Sequence, residues 1–368
     1  MITKFKNMKK VAIWSSLKFT NYGDDLQALA YAMFLKNEGY EVKLFQLDKG
    51  LAEMYGVETV QTIDELCKDV KLCIIAGGGL LSPFDPVRRV LNRAYAEWEL
   101  MFKELYRATK QYGTKFCAIS MGGDGKDHNP LFYYGKWRRK FFASPNFLNG
   151  AVRLEGDVAQ MKKYYNKDFK HFPDMLFKSI DYFEPKLLEP SKKIRVGLNF
   201  KTSRNWHYLD KQLIKDMLEY ANTHDDIEFH FTTTHMDYVG LNYQYYPDHE
   251  TENLKIDKYT SPGQLLGVLS SCDVFVTSML HLGLTGLCNG TPFLSYRGPG
   301  KAKSFLRSVK GDWAILDDNI SFAELRDNYL VKKKEDLYNR FDIEAIQQMK
   351  KESEQNYQFC KQVCEQYA

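Results

Sequence analysis

Short β-branched and apolar runs alternate along the chain with longer stretches of helical periodicity. Residues 11–14, 72–76 and 116–120 are nearly unbroken apolar segments, the pattern of buried strands, and 41–47 reads as the second strand of a βαβ opening. Between 11–14 and 41–47, residues 24–37 place Leu26, Leu29, Ala30, Met33 and Phe34 on one helical face, and Gly39 ends the helix. Residues 90–111 predict a long amphipathic helix, 151–153 a short strand and 155–165 a further helix. The stretch 180–193, broken by Pro185 and Pro190, reads as a linker. The alternation then restarts, with strands predicted at 194–200, 227–231, 274–276 and 293–296. Helices are predicted at 209–221, at 262–271 with Pro262 at its first position, and at 280–289 before Gly290 and Pro292. Residues 343–366 form a final polar-amphipathic helix. The pattern predicts an α/β fold of two Rossmann-like domains facing across a cleft, residues 1–180 and 181–345, followed by a C-terminal helix at 346–368.

Chemistry-bearing residues gather where strands end. Asn21-Tyr22-Gly23-Asp24-Asp25 fills the first strand–helix turn, in place of the G-x-G-x-x-G of a dinucleotide site. Gly77-Gly78-Gly79 and the 121–125 stretch follow two later strands, where glycine lets a backbone approach a ligand closely. Thr277 and Ser278 stand as helix caps ahead of His281, and Arg297-Gly298-Pro299-Gly300-Lys301 forms a cationic loop beyond the next strand. A histidine near a helix N-terminus beside a cationic loop points to an anionic substrate. The loop is not a Walker A motif, because Ser295 replaces its first glycine and Ala302 follows Lys301. His207 and His235 read as loop histidines. Residues 131–142, LFYYGKWRRKFF, admit contact with an anionic lipid headgroup or diphosphate, although a solvated helix face with one buried side is the plainer reading.

Composition narrows the classes further. A length of 368 residues suffices for two α/β domains, and a net charge of +4 is too small to imply nucleic acid. Seven scattered cysteines argue for a reducing compartment without a disulfide framework. Cys360 and Cys364 share a helix face but have no His or Cys nearby to complete a zinc site, and no carboxylate cluster calls for a metal. The N-terminal apolar run is too short for a signal peptide, and no stretch approaches the roughly 20 apolar residues of a membrane helix. The expected location is cytoplasmic.

Taken in order, these motifs resemble the polysaccharide pyruvyl transferase family over roughly residues 9–310. Asn21-Tyr22-Gly23-Asp24 is similar to its N-x-G-D element and Ala76–Leu80 to its glycine-rich strand end. Val152-Arg153 and Pro173-Asp174 resemble its Arg-containing and Pro-Asp elements. Ser278-Met279-Leu280-His281, Gly290-Thr291-Pro292 and Lys301 resemble its S-R-x-H, G-x-P and K signature. The resemblance implies a GT-B-like architecture and an enzyme that transfers the enolpyruvyl unit of phosphoenolpyruvate, a co-substrate, to a hexose as a ketal. No further cofactor is implied.

On that basis His281 is the catalytic candidate. Lys201, Arg204, Ser278, His281, Arg297 and Lys301 are donor-binding candidates, and Asn21, Asp24, Gly78, Gly79 and Gly123 are acceptor-binding candidates. Met279 stands where the family has an arginine, and Lys201 where a second is frequent, so the bidentate fork of Arg is missing at both places. The acceptor is a surface polysaccharide or its lipid-diphosphate-linked precursor, the latter implying peripheral contact with a membrane surface. The alternatives are a GT-B glycosyltransferase using a nucleotide sugar and a non-catalytic glycan-binding protein.

Overall fold

A computed structural model describes residues 9–17, 21–83, 93–201, 211–236, 244–245 and 247–368. The chain divides into two compact units. Met1–Thr20, Asp24–Met175 and Glu352–Ala368 form the first, and Asn21–Gly23 with Leu176–Lys351 form the second.

The first unit is built on a five-stranded parallel sheet in the order β3-β2-β1-β4-β5, comprising β1 Lys10–Trp14, β2 Glu41–Phe45, β3 Glu58–Val60, β4 Leu72–Ala76 and β5 Lys115–Ile119. A two-stranded parallel ribbon, β6 Ala151–Val152 with β7 Lys170–His171, joins the end of β5 through a single parallel bridge between Met121 and Val152. β1 and β4, at the centre of the sheet, are buried along almost their whole length, and their sequences read as apolar. Trp14, Ile75, Phe102, Phe116, Phe141, Phe142 and Phe147 form one continuous core. Each such buried side chain contributes about 1.5–3 kcal/mol of transfer free energy. The last residues of the helix Ile343–Tyr367 belong to this unit. There Asn356 Nδ2 donates to Pro173 O at 2.8 Å, and the Tyr357 ring packs 5.3 Å from Tyr31.

The second unit repeats the plan. Its sheet runs β11-β9-β8-β12-β13, all parallel, from β8 Ile194–Lys201, β9 Ile227–Thr232, β11 Leu254–Asp257, β12 Val274–Thr277 and β13 Phe293–Ser295. A short β10, Gln244–Tyr245, pairs antiparallel with the end of β8. The α/β class, the parallel sheets and the C-terminal helix are those predicted from the sequence. In each sheet the strand order reverses once, between β1 and β4 in the first unit and between β8 and β12 in the second. Ligands of open α/β sheets bind outside the carboxyl ends of the strands at such reversals.

The basic-aromatic stretch 131–142 differs in part from its surface reading. Arg138 is fully buried. Its Nη1 donates to Leu80 O at 2.9 Å and Ser82 O at 3.2 Å, its Nη2 donates to Tyr133 O at 3.1 Å, and the guanidinium lies 3.8 Å from the Tyr134 ring centroid. It braces the loop after β4 and is unavailable to a lipid headgroup.

Candidate functional site: two strand-order reversals

In the second unit β12 runs straight into the His281 segment. Thr277 Oγ1 donates to Asn199 Oδ1 (3.2 Å) and accepts from Met279 N–H (2.9 Å), while Ser278 N–H donates to Asn199 O (3.0 Å). These bonds splice the ends of β8 and β12 where the order reverses. The helix Leu280–Cys288 begins here, but its N-cap is Met279, with no side-chain cap bond, and not Thr277 or Ser278 as expected. The Ser278 hydroxyl is buried and donates to Tyr296 O at 2.9 Å. It therefore fixes β13 to this turn. His281 is half-buried in the first turn of the helix.

The turn 21–25 also differs from expectation, because its helix starts at Tyr22, two residues early. Asn21 is spent locally, its Oδ1 accepting from Gly23 N–H at 3.0 Å and its Nδ2 lying 2.9 Å from His235 Nε2. The buried Tyr22 hydroxyl donates to Thr285 Oγ1 at 3.0 Å, and Thr285 donates in turn to His281 O at 2.8 Å. Burial pushes the Tyr22 phenol far above its ordinary pKa, so it stays a donor. Gly23 abuts the imidazole. A Cβ on it would lie 1.9 Å from His281 Nδ1 and 2.8 Å from both Cγ and Cε1. The ring thus points its Nδ1 corner at Gly23, leaving Nε2 on the far side.

The other donor candidates are placed as follows. Lys201 ends β8, its backbone paired with Gln244. Arg204 and His207 lie outside the described residues. Arg297 has φ +48°, and its Nε and Nη2 both donate to Asp318 O (3.1 and 2.7 Å). Lys301 sits in the first turn of the helix Gly300–Ser308, where the sequence pattern showed only a loop.

At the reversal of the first unit the ends of β1 and β4 border a pocket of about 160 Å³. Trp14, Ser15 and Asp24 line it, with Gly77–Gly79 opposite and Trp98 at its side. It is smaller than the roughly 300–1,000 Å³ of drug-sized sites and suits a single ring. Gly77 and Gly78 take φ +63° and +79°, and no atom lies within 4 Å of where a Gly78 Cβ would stand. The indole Nε1 atoms of Trp14 and Trp98, whose rings sit 6.2 Å apart, are buried with no hydrogen-bond partner among the described residues. The Trp14 and Trp98 rings, the Asp24 side chain and the glycine backbone give the pocket the mixed apolar and polar lining of a small-ligand site.

The turn is held from behind. Gly78 N–H donates to Gln27 Oε1 (3.2 Å), Gln27 Nε2 donates to Asp174 Oδ1 (3.5 Å), and Arg153 Nη1 pairs with Asp174 Oδ2 (2.9 Å). The Arg153 and Pro173-Asp174 elements are therefore one buried brace under Gly77–Gly79. Asp24, Gly78 and Gly79 come together in the pocket; Asn21 and Gly123 do not join them. The Gly123 amide donates to Asp157 Oδ2 at 2.7 Å. Trp14 and Trp98 were missed by the sequence reading, since a tryptophan in an apolar strand or on a helix reads as core.

Two Rossmann-like units in one chain define a GT-B-like fold, and solved structures agree on that fold. The UDP co-structure of S. aureus MnaA aligns with TM-score 0.57 and 7% identity over 91% of each chain. A UDP-GlcNAc 2-epimerase from Neisseria meningitidis, bound to UDP-GlcNAc, aligns with TM-score 0.55 and 8% identity over 95% of this chain and 99% of its own. A glycosyltransferase from Rickettsia africae aligns with TM-score 0.52 and 11% identity over 98% of both chains. Among curated proteins none matches the chain at a significant level. The family model described as polysaccharide pyruvyl transferase matches residues 157–297, the stretch holding Pro173-Asp174, Ser278–His281 and Gly290–Pro292.

Proposed function

We propose that the chain is a pyruvyl transferase, moving the enolpyruvyl unit of phosphoenolpyruvate onto a hexose of a surface polysaccharide or its lipid-linked precursor. The observation carrying this reading is the placement of His281. It stands in the first turn of a helix at the β8–β12 reversal, inside the segment that the pyruvyl transferase model matches. Helix N–H groups and dipole favour the donor's phosphate and carboxylate there. Lys201, Arg204 and Lys301 are assigned the remaining donor charge. Phosphate contact by Lys needs no planar fork.

Ketal formation adds a proton to the donor's methylene carbon, making it a methyl group and leaving cationic character at C2. One acceptor hydroxyl bonds to C2 and releases its proton. The C2–O bond to phosphate then breaks, and a second hydroxyl closes the ketal, its proton leaving with the phosphate. His281 is assigned the proton transfers, through the Nε2 that faces away from Gly23. The hexose ring is assigned to the Trp14–Trp98 pocket, with Asp24 and the Gly77–Gly79 backbone as partners.

The test is incubation of the purified protein with phosphoenolpyruvate and a set of hexosides. Phosphate release with a pyruvate-ketal product is expected. The second reading, a nucleotide-sugar glycosyltransferase, draws on the fold shared with nucleotide-binding neighbours. It is favoured if a nucleoside diphosphate raises the melting temperature, phosphoenolpyruvate does not, and no phosphate is released.

A further inference from the structure

Four lysines of the first unit gather over two aromatic rings without a carboxylate partner among the described residues. On the helix Arg93–Gln111, Lys103 and Lys110 are exposed, as are Lys136 and Lys140 on the helix Lys136–Phe142. The Trp137 ring has Lys103 Nζ at 5.9 Å, Lys136 Nζ at 5.3 Å and Lys140 Nζ at 5.2 Å. Tyr106, 6.1 Å from Trp137, has Lys110 Nζ at 5.0 Å and Lys140 Nζ at 5.9 Å. Among the described residues none of these lysines forms an ion pair. Of the acids near Lys103 on the same helix, Glu99 turns inward, one oxygen accepting from Trp137 N–H and the other buried, and Glu104 pairs with Arg107.

Exposed large apolar side chains lie close in sequence to the cluster. Leu131 and Phe132, in the turn before Lys136, are 66% and 62% exposed, and Leu100, one turn before Lys103, is 57% exposed. Exposed apolar side chains of this size beside concentrated positive charge mark an interaction surface. Soluble polyanions satisfy lysines but give nothing to Leu131 and Phe132. A bilayer with anionic headgroups satisfies both, with amphipathic tryptophan and tyrosine at headgroup depth.

We infer that this face docks on an anionic lipid surface, with Leu131 and Phe132 entering the acyl boundary and the lysines contacting headgroups. The contact is peripheral, since no helix among the described residues is long and apolar enough to cross a membrane. It stands independently of the reaction proposed above. A membrane-docked enzyme would meet its acceptor at that surface.

The test is co-sedimentation of the whole protein with vesicles of equimolar phosphatidylcholine and phosphatidylglycerol, against phosphatidylcholine alone. Binding to the anionic vesicles only, weakened by salt, is expected. Lys136→Gln with Lys140→Gln should lower the partition coefficient roughly 30-fold at unchanged melting temperature. Leu131→Ser with Phe132→Ser should weaken the salt-resistant part of binding, and neither pair should alter turnover of a soluble acceptor. Failure of the wild-type protein to bind anionic vesicles would overturn the inference. So would vesicle binding insensitive to both variants. Equal retention on dextran sulfate by wild type and Leu131→Ser/Phe132→Ser, with no vesicle binding, would reassign the face to a soluble polyanion.

Discussion

Gly23 and His281 occupy touching positions, and the space for the imidazole exists because residue 23 has no side chain. The hypothetical Cβ falls 1.9 Å from Nδ1, far inside any permitted contact. Gly23 does not take positive φ, so its glycine is a matter of room and not of backbone conformation. One turn further along the histidine's helix, the Tyr22–Thr285–His281 chain of hydrogen bonds ties the same segment down.

Gly23→Ala should therefore leave the protein folded but displace the ring. Alanine's better helix propensity, about 1 kcal/mol, offsets part of an overpacking cost of about 1–3 kcal/mol. The melting temperature should move little. A displacement of the reacting group by an ångström costs on the order of a hundredfold in kcat. Steady-state kinetics should show that fall with KM for phosphoenolpyruvate changed far less. His281→Ala, measured alongside, should abolish phosphate release while keeping the fold. Wild-type turnover in either variant would remove His281 from the mechanism.

The Arg153–Asp174 pair predicts a different phenotype. Both side chains are about 8% exposed, so removing one partner strands a buried charge. Arg153→Ala or Asp174→Ala should cost about 3–5 kcal/mol of stability, read from denaturant midpoints. Gln27→Ala removes the link to Gly78 N–H and the long bond to Asp174 Oδ1 while leaving the Arg153–Asp174 pair in place. It should cost about 1 kcal/mol and raise the acceptor KM without touching the donor KM. A donor-side effect of Gln27→Ala would separate this brace from the pocket.

Much of this architecture is legible in the chain, because β1, β4, β5, β12 and β13 are buried and appear as short apolar runs, while the more polar β2, β8 and β9 follow from the alternation of strand and helix patterns. The strand-end glycines and the His281 segment are likewise readable, since backbone geometry demands particular residues there. Long-range partnerships are not. Nothing local to Trp14 announces Trp98, and Asn21-Tyr22-Gly23 reads as a turn until Thr285 and His281 are seen beside it. Arg138 was within reach. Its spacing from Phe141 and Phe142 puts it on the apolar side of its helix, in keeping with the plainer reading of 131–142 as a helix face with one buried side.

Stability toward acid should depend on Glu228. It pairs with Arg195 at 3.2 Å directly across β8 and β9, and His230 Nε2 lies 3.4 Å away, its other nitrogen 2.7 Å from Asp257. Burial raises the Glu228 pKa, but His230, Arg195 and Lys255 together outweigh it and hold the carboxyl below its ordinary 4.5. A depressed folded pKa means that the stabilisation is complete above the unfolded value and is lost as pH falls through the folded one. Glu228→Gln should melt below wild type at pH 7, and the gap should close below about pH 4. A gap that persists unchanged into acid would show that the loss is steric.

The acceptor assignment makes the sharpest demand on the two indoles. Each Nε1 is a buried donor without a partner among the described residues, a cost the fold bears unless a ligand supplies an acceptor. Phenylalanine keeps an aromatic ring and removes that donor. Trp98→Phe and Trp14→Phe should therefore preserve or slightly raise the melting temperature, since each deletes an unsatisfied group. If a hexose hydroxyl accepts from the indole, losing the bond is worth about 1–1.5 kcal/mol, or roughly a tenfold rise in acceptor KM. The KM for phosphoenolpyruvate should stay at the wild-type value. Intrinsic fluorescence gives a second readout, because a hexoside entering the pocket should perturb Trp14 and Trp98 emission in the wild-type protein. Unchanged acceptor KM in both variants, with no fluorescence response, would move the acceptor elsewhere while leaving the donor chemistry at His281 untouched.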